Sequence, residues 1–272
     1  MSECALPLPP VIDAHAHIFT RDMPLTGQAW TRPDYDFTAE QHLAALDQHG
    51  VAFGVISAAS LFGDYNEYTL EALSRHPRLR ATVIVRPDTD QATFAQLARM
   101  ANSGVVGVRL TLRRLPQLPD LGGDSYQRLF KCMADLGLHV EVLAHGKDFP
   151  AILPLIEASG VTVVVDHFAD PDRRLGIESP GFLAALRSVE SGRTFIKLAA
   201  ANRLDAELAK ACARRLLEVC GPERLMWGSD APFIGHEHRP PYGEALRLFE
   251  ELVPDARQRH AIGLTALRQF FF

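Results

Sequence analysis

Short apolar runs alternate with longer amphipathic segments from one end of this 272-residue chain to the other, and that alternation limits the fold most. The runs fall at 11–17, 52–58, 81–86, 105–110, 139–143, 161–167, 194–199 and 225–228. Helical periodicity occupies 38–49, 65–75, 92–102, 125–136, 149–158, 180–188, 204–220 and 242–252, with a further helix expected in the tail, 254–272. Runs such as Val161-Thr-Val-Val-Val165 are near-continuously apolar, as strands buried on both faces must be. Thr38-Ala-Glu-Gln41 reads as a capping box and Asp124-Ser-Tyr-Gln127 as a looser one, while Gly50, Gly104, Gly137, Gly160, Gly192 and Gly221 stand at helix ends. Eight β-then-α units predict an α/β fold, a (β/α)8 TIM barrel in a single domain over residues 1–272. A doubly wound sheet is the alternative, but no Gly-x-Gly-x-x-Gly follows a strand.

A barrel of this kind gathers its chemistry at the C-terminal ends of the strands. On that rule His15 and His17 end the first strand, Arg86 the third, Arg109 the fourth, His167 the sixth and Asp230 the eighth, with Asn202 and Arg203 just past the seventh. His15 and His17 stand at i and i+2, so a strand turns both imidazoles to one side. Two adjacent imidazoles suit a metal or the polarisation of a carbonyl better than they suit packing, although a hydrogen-bonded core pair is the plainer reading. Asp230 is the candidate general base, able to take a proton from an attacking water; a helix N-cap before Ala231-Pro232 is its plainer reading. His167 is a third ligand or a donor to an oxyanion, against a simple pairing with Asp166.

Arg86, Arg109, Arg113, Arg114 and Arg203 place a surplus of guanidinium groups near the same mouth. Each is a planar fork matched to a carboxylate, which predicts a small anionic, carboxylated substrate; surface ion pairing is the alternative. Either Arg113 or Arg114 is expected to turn inward. His236 and His238 form a second His-x-His in the loop after the last strand, a place for a substrate contact or simply for solvent.

The remaining sequence excludes more than it assigns. A net charge of −5 argues against a nucleic-acid or anionic-membrane partner. The four cysteines, Cys4, Cys132, Cys212 and Cys220, form no CxxC pair, which fits a reducing compartment. The absence of a signal-like start and of a long apolar run predicts a cytoplasmic protein, with a homo-oligomer possible.

Taken together, Ile12-Asp-Ala-His-Ala-His17, Gly107-Val-Arg-Leu110, Val165-Asp-His167, Ile196-Lys-Leu-Ala-Ala-Ala-Asn-Arg-Leu-Asp205 and Trp227-Gly-Ser-Asp-Ala-Pro232 resemble the amidohydrolase superfamily, and within it the 2-pyrone-4,6-dicarboxylate lactonase-like group. The resemblance implies that residues matching His15, His17, His167 and Asp230 can hold a divalent metal, with further ligands from strand four or five. Strand four here ends in Arg109, and strand five, His139-Val-Glu-Val-Leu-Ala-His145, offers Glu141 as a candidate ligand only. The pyrone lactonase type keeps the strand-one histidines and works without a metal. The expectation is therefore a hydrolase of a small carboxylated lactone, active in aromatic or sugar-acid catabolism. It needs no cofactor, or binds one divalent ion (Zn or Mn) weakly. A metal-dependent decarboxylase of the same superfamily and a non-catalytic organic-acid-binding barrel are the alternatives.

Overall fold

A computed structural model describes residues 10–87, 91–237 and 241–272. His238 and Cys4 lie outside the described residues. The strands are β1 (Ile12–Ala16), β2 (Phe53–Ile56), β3 (Leu79–Val83), β4 (Val105–Thr111), β5 (His139–Leu143), β6 (Thr162–Val165), β7 (Thr194–Ala199) and β8 (Leu225–Gly228). Each pairs in parallel with the next, in sequence order, as a βα repeat requires. The outer layer is α1 (Ala39–Gln48), α2 (Glu67–Arg75), α3 (Gln91–Asn102), α4 (Asp124–Asp135), α5 (Phe149–Glu157), α6 (Pro180–Val189), α7 (Ala206–Cys220), α8 (Tyr242–Leu252) and α9 (Ala256–Phe271). The expected TIM barrel is present.

The seam between β8 and β1 closes through a few specific bonds. The His17 N–H donates to the Ala231 carbonyl and the Asp230 N–H to the His15 carbonyl, both at 2.8 Å. Below them the buried Asp13 carboxylate accepts from the Ser229 N–H (2.9 Å), the Ser229 hydroxyl (2.6 Å), the His15 N–H (3.1 Å) and the Tyr242 hydroxyl (3.1 Å). A register shift lies between Asp13 and Ala16 in β1. Such an irregularity re-aims side chains, here at the point where the histidines leave the strand.

Val140 and Val142 of β5 belong to the core between barrel and helices, so His139, Glu141 and Leu143 face the barrel interior. The floor of that interior is apolar: Ile12, Ala14, Val55, Val164 and Met226 meet Ala266 and Phe270 of α9. Everything chemically active lies above this plug.

Local signals behave as their chemistry dictates. Thr38 and Gln41 form the capping box at α1. The six helix-end glycines all adopt left-handed φ, between 69° and 99°. Asp124 differs from expectation: Gly123 is the N-cap of α4 and Asp124 stands in the first turn, where its charge still meets the positive helix end. The third strand also differs, running from Leu79 to Val83 rather than 81–86, because the buried Leu79 and Ala81 place its start two residues earlier. Among the described residues no helix is long and apolar enough to cross a membrane.

Candidate active site

His15, His17, His167 and Asp230 meet at the C-terminal mouth of the barrel, and all four are buried. The His15 and His17 rings lie 5.1 Å apart between centroids, and His15 and His167 4.9 Å. Asp230 Oδ1 is 3.4 Å from His17 Nε2 and 3.6 Å from His15 Nε2. Asp230 caps no helix; a turn follows it, and its own φ is +66°. His167 through Asp170 is a run of four left-handed non-glycine residues, with φ from 44° to 60°. Each such residue costs of order 1–3 kcal/mol unless its surroundings fix it, and strain of this kind collects at functional sites.

Beneath the histidines the barrel interior holds a charged layer. Arg109 is buried, with Nε 2.8 Å from Glu141 Oε1, Nη2 2.7 Å from Asp166 Oδ2 and Nη1 donating to the Ala58 carbonyl at 2.8 Å. Lys197, central in β7, reaches Glu141 Oε2 at 2.5 Å. Arg203 donates to Asp230 Oδ2. Arg109 and Lys197 thus balance Glu141 and Asp166 within the layer, and Arg203 balances Asp230 above it, so the set is neutral with its histidines uncharged. Burial raises Asp166 and Glu141, but Arg109 and Lys197 outweigh it and hold both carboxyls below the usual range. Burial likewise raises Asp230, and Arg203, His17 and His167 more than reverse it. Burial, with Lys197 nearby, lowers His15 to about 4, and burial also pushes His167 down.

Above this layer opens a cavity of about 280 Å³. His17, His167, Asp230, Arg109, Arg113, Arg114, Arg203 and His236 line it. Both Arg113 and Arg114 face it, not one of the two. Arg113 pairs with Asp170 at 3.0 Å, and the Arg114 guanidinium lies 4.3 Å over the Trp30 ring. Burial lowers Arg114, and so do the neighbouring Arg113 and Arg203. Arg109 lines the cavity too, but most of its fork is spent on Asp166 and Glu141.

Arg86 requires correction. Because β3 ends at Val83, Arg86 falls beyond the strand end; it is largely exposed, pairs with Asp64 at 2.7 Å and is not among the residues lining the cavity. Glu141 does not approach the His15–His17–Asp230 group as a ligand; it is the counter-ion of Arg109 and Lys197.

The sequence reading assigned no role to Lys197, Ser57, Trp30 or Arg173. Lys197 carried a usable signal, a lone lysine inside an apolar strand, since lysine is almost never buried unpaired. Trp30 carried none. It reaches the site because Tyr35 and the Gly235 N–H both bond Glu237, at 3.1 and 2.9 Å, tying the segment after β1 to the loop after β8. Gly235 lets the indole lie close: a Cβ there would sit 2.6 Å from the ring.

His15 Nε2 and Asp230 Oδ1 are buried without a hydrogen-bond partner. With His17 they form a group whose ligand atoms lie within 4.8 Å of one another, and His15, Asp166 and His167 form an overlapping one. His17 Nδ1 donates to the Ser57 carbonyl at 2.7 Å, which leaves Nε2 with a lone pair. The donor set His15, His17 and Asp230 therefore fits one divalent ion, which would polarise a carbonyl or acidify a water.

Comparison with known proteins gives the family. Residues 12–272 match the amidohydrolase family. The chain belongs to that family. This amidohydrolase is 26% identical over 261 residues to the 4-sulfomuconolactone hydrolase of Rhizobium radiobacter, covering 92% of this chain and 86% of that protein. It is 28% identical over 264 residues to the 2-pyrone-4,6-dicarboxylate hydrolase of Comamonas testosteroni, covering 90% and 84% respectively. A solved structure from Acinetobacter baumannii, assigned as a 2-pyrone-4,6-dicarboxylic acid hydrolase and holding citric acid, superposes with a TM-score of 0.91 at 29% identity, over 97% of this chain and 100% of that one. The amidohydrolase described here is a hydrolase.

Proposed function

We propose that this amidohydrolase opens a small lactone bearing two anionic groups, as part of the breakdown of aromatic or sugar-acid compounds. The observation that carries the reading is the position of Asp230: a buried carboxylate beside two imidazoles, on the wall of a cavity with Arg113, Arg114, Arg173 and Arg203 around it. The layer beneath is neutral. Among the described residues lining the cavity above it, Arg113, Arg114 and Arg173 face Asp170, an excess of two positive charges that a dianion would balance. Both named relatives take their names from ring esters with strongly anionic substituents, which supports this substrate class.

In this mechanism Asp230 Oδ1 takes a proton from a water as the water oxygen bonds to the ring carbonyl carbon. The carbonyl oxygen becomes an oxyanion beside His15 and His167, whose neutral imidazoles can donate to it. When the ring C–O bond breaks, the leaving oxygen takes up the proton held by Asp230 and the open-chain acid departs. The rim arginines hold the substituents and so fix the carbonyl against the base. A pure carboxylate binder needs the arginines but has no use for Asp230. The test is hydrolysis of a lactone panel, with and without chelator, on protein of measured metal content. Turnover confined to dianionic lactones is expected; equal turnover of uncharged lactones, or of none, overturns the reading.

A further inference from the structure

Lys197 is fully buried, and its ammonium has three protons with three acceptors within hydrogen-bond distance. Glu141 Oε2 lies at 2.5 Å, His15 Nδ1 at 3.2 Å and Ser57 Oγ at 3.3 Å. Ser57 Oγ, having accepted from Lys197, keeps its own proton for His15 Nδ1 at 3.1 Å. The carboxylate oxygens near that nitrogen, Asp166 Oδ1 at 3.3 Å and Glu141 Oε1 at 3.8 Å, make no hydrogen bond. A ring nitrogen that faces two donors is itself an acceptor. In a neutral imidazole the proton then sits on the other nitrogen, Nε2, which lies 3.6 Å from Asp230 Oδ1 at the mouth.

We propose that Lys197 is a positioning residue that holds His15 in its Nε2–H form, so that His15 serves the reaction as a hydrogen-bond donor to the carbonyl oxygen. The proposal deepens the lactone-hydrolase reading, on which the donor's target rests. His17 is held in the opposite form, its Nδ1–H committed to the Ser57 carbonyl and its Nε2 lone pair turned to the site. The two histidines, one residue apart, thus offer one donor and one acceptor. A metal seeking both must first displace the proton that Lys197 and Ser57 keep on His15 Nε2. Lys197 therefore also sets how weakly the site binds a divalent ion.

The experiment reads the proton directly. In protein labelled with ¹⁵N-histidine, the His15 ring signals, assigned by their loss in His15→Gln, should show a bare Nδ1 and a protonated Nε2. Removing Lys197 alone would leave an uncompensated carboxylate that attracts cations by itself. The variant is therefore Lys197→Met with Glu141→Gln, which keeps the layer neutral. In it the His15 proton should move to Nδ1, facing Asp166, and Zn²⁺ alone should bind about tenfold tighter or more by calorimetry. A wild-type spectrum with the proton on Nδ1 overturns the proposal, as does unchanged zinc affinity in a variant that circular dichroism shows to be folded. If the variant does not fold, the wild-type spectrum decides by itself. Neither readout uses a substrate, so failure of the lactone panel and failure of this proposal are separate results.

Discussion

A carboxylate held well below its ordinary range is a poor base in water, and Asp230 is such a carboxylate. Arg203, which holds it there, also lines the cavity. On the proposed reading, a bound substrate anion would compete for that guanidinium and return basicity to Asp230 only when something is present to react. Asp230→Asn should lower kcat about a hundredfold or more with KM little changed, in steady-state assays on the preferred lactone. Near-normal turnover would place the base elsewhere. The arginines divide by what they already hold. Arg114→Ala should raise KM for a dianionic lactone about tenfold or more and leave stability nearly intact, since a charge-assisted contact to the substrate is lost. Arg109→Met should instead cost about 3–5 kcal/mol in denaturant unfolding, because it strands Asp166 and Glu141 in the interior. Equal effects of the two variants on stability would contradict this division.

The elements were legible because their signals are local. Apolar continuity marks a strand buried on both faces wherever it falls, and the capping box at Thr38 and the terminal glycines need only neighbours in sequence. Arg86 was misplaced because a strand end is set by its partners: β3 begins at Leu79, paired with Gly54, and so finishes before Arg86. The charged layer and Trp30 were not legible for the same reason, since Lys197 finds Glu141 two strands away and Trp30 meets Arg114 across the mouth. The β1–β8 seam is another such contact and carries its own prediction. Burial raises Asp13 from 3.8 to about 6, against the bonds from Ser229, His15 and Tyr242. Because the folded state holds this proton more tightly than the unfolded chain, stability due to Asp13 is greatest below pH 4 and falls as pH rises to about 6. The loss amounts to about 3 kcal/mol. Asparagine cannot titrate, so the stability of wild type relative to Asp13→Asn should fall by about that amount between pH 4 and pH 7 in urea melts. A difference independent of pH would show that Asp13 is ionised throughout.

On the scale of the whole molecule, the site is a stack: an apolar floor closed by α9, a neutral charged layer, the histidines with Asp230, and an arginine rim. Asp166 and Glu141 contribute stability that is present above the ordinary carboxylate range and lost as pH falls below it, the reverse of Asp13.

The arginine rim also makes the molecule lopsided. A chain with a net charge of −5 turns cationic side chains toward the cavity that leads to Asp230. On the proposed reading, a dianion held off by the net negative charge would be drawn in where the arginines show. Diffusion toward the mouth is then guided by the field, and the guidance fades once added salt shortens its range to about 10 Å at 0.1 M. For the preferred lactone kcat/KM should therefore drop as sodium chloride is raised from about 10 mM to about 300 mM, while kcat holds steady. An uncharged ester turned over slowly by the same protein should show no such drop. If both respond alike, salt is acting on the protein and not on the approach.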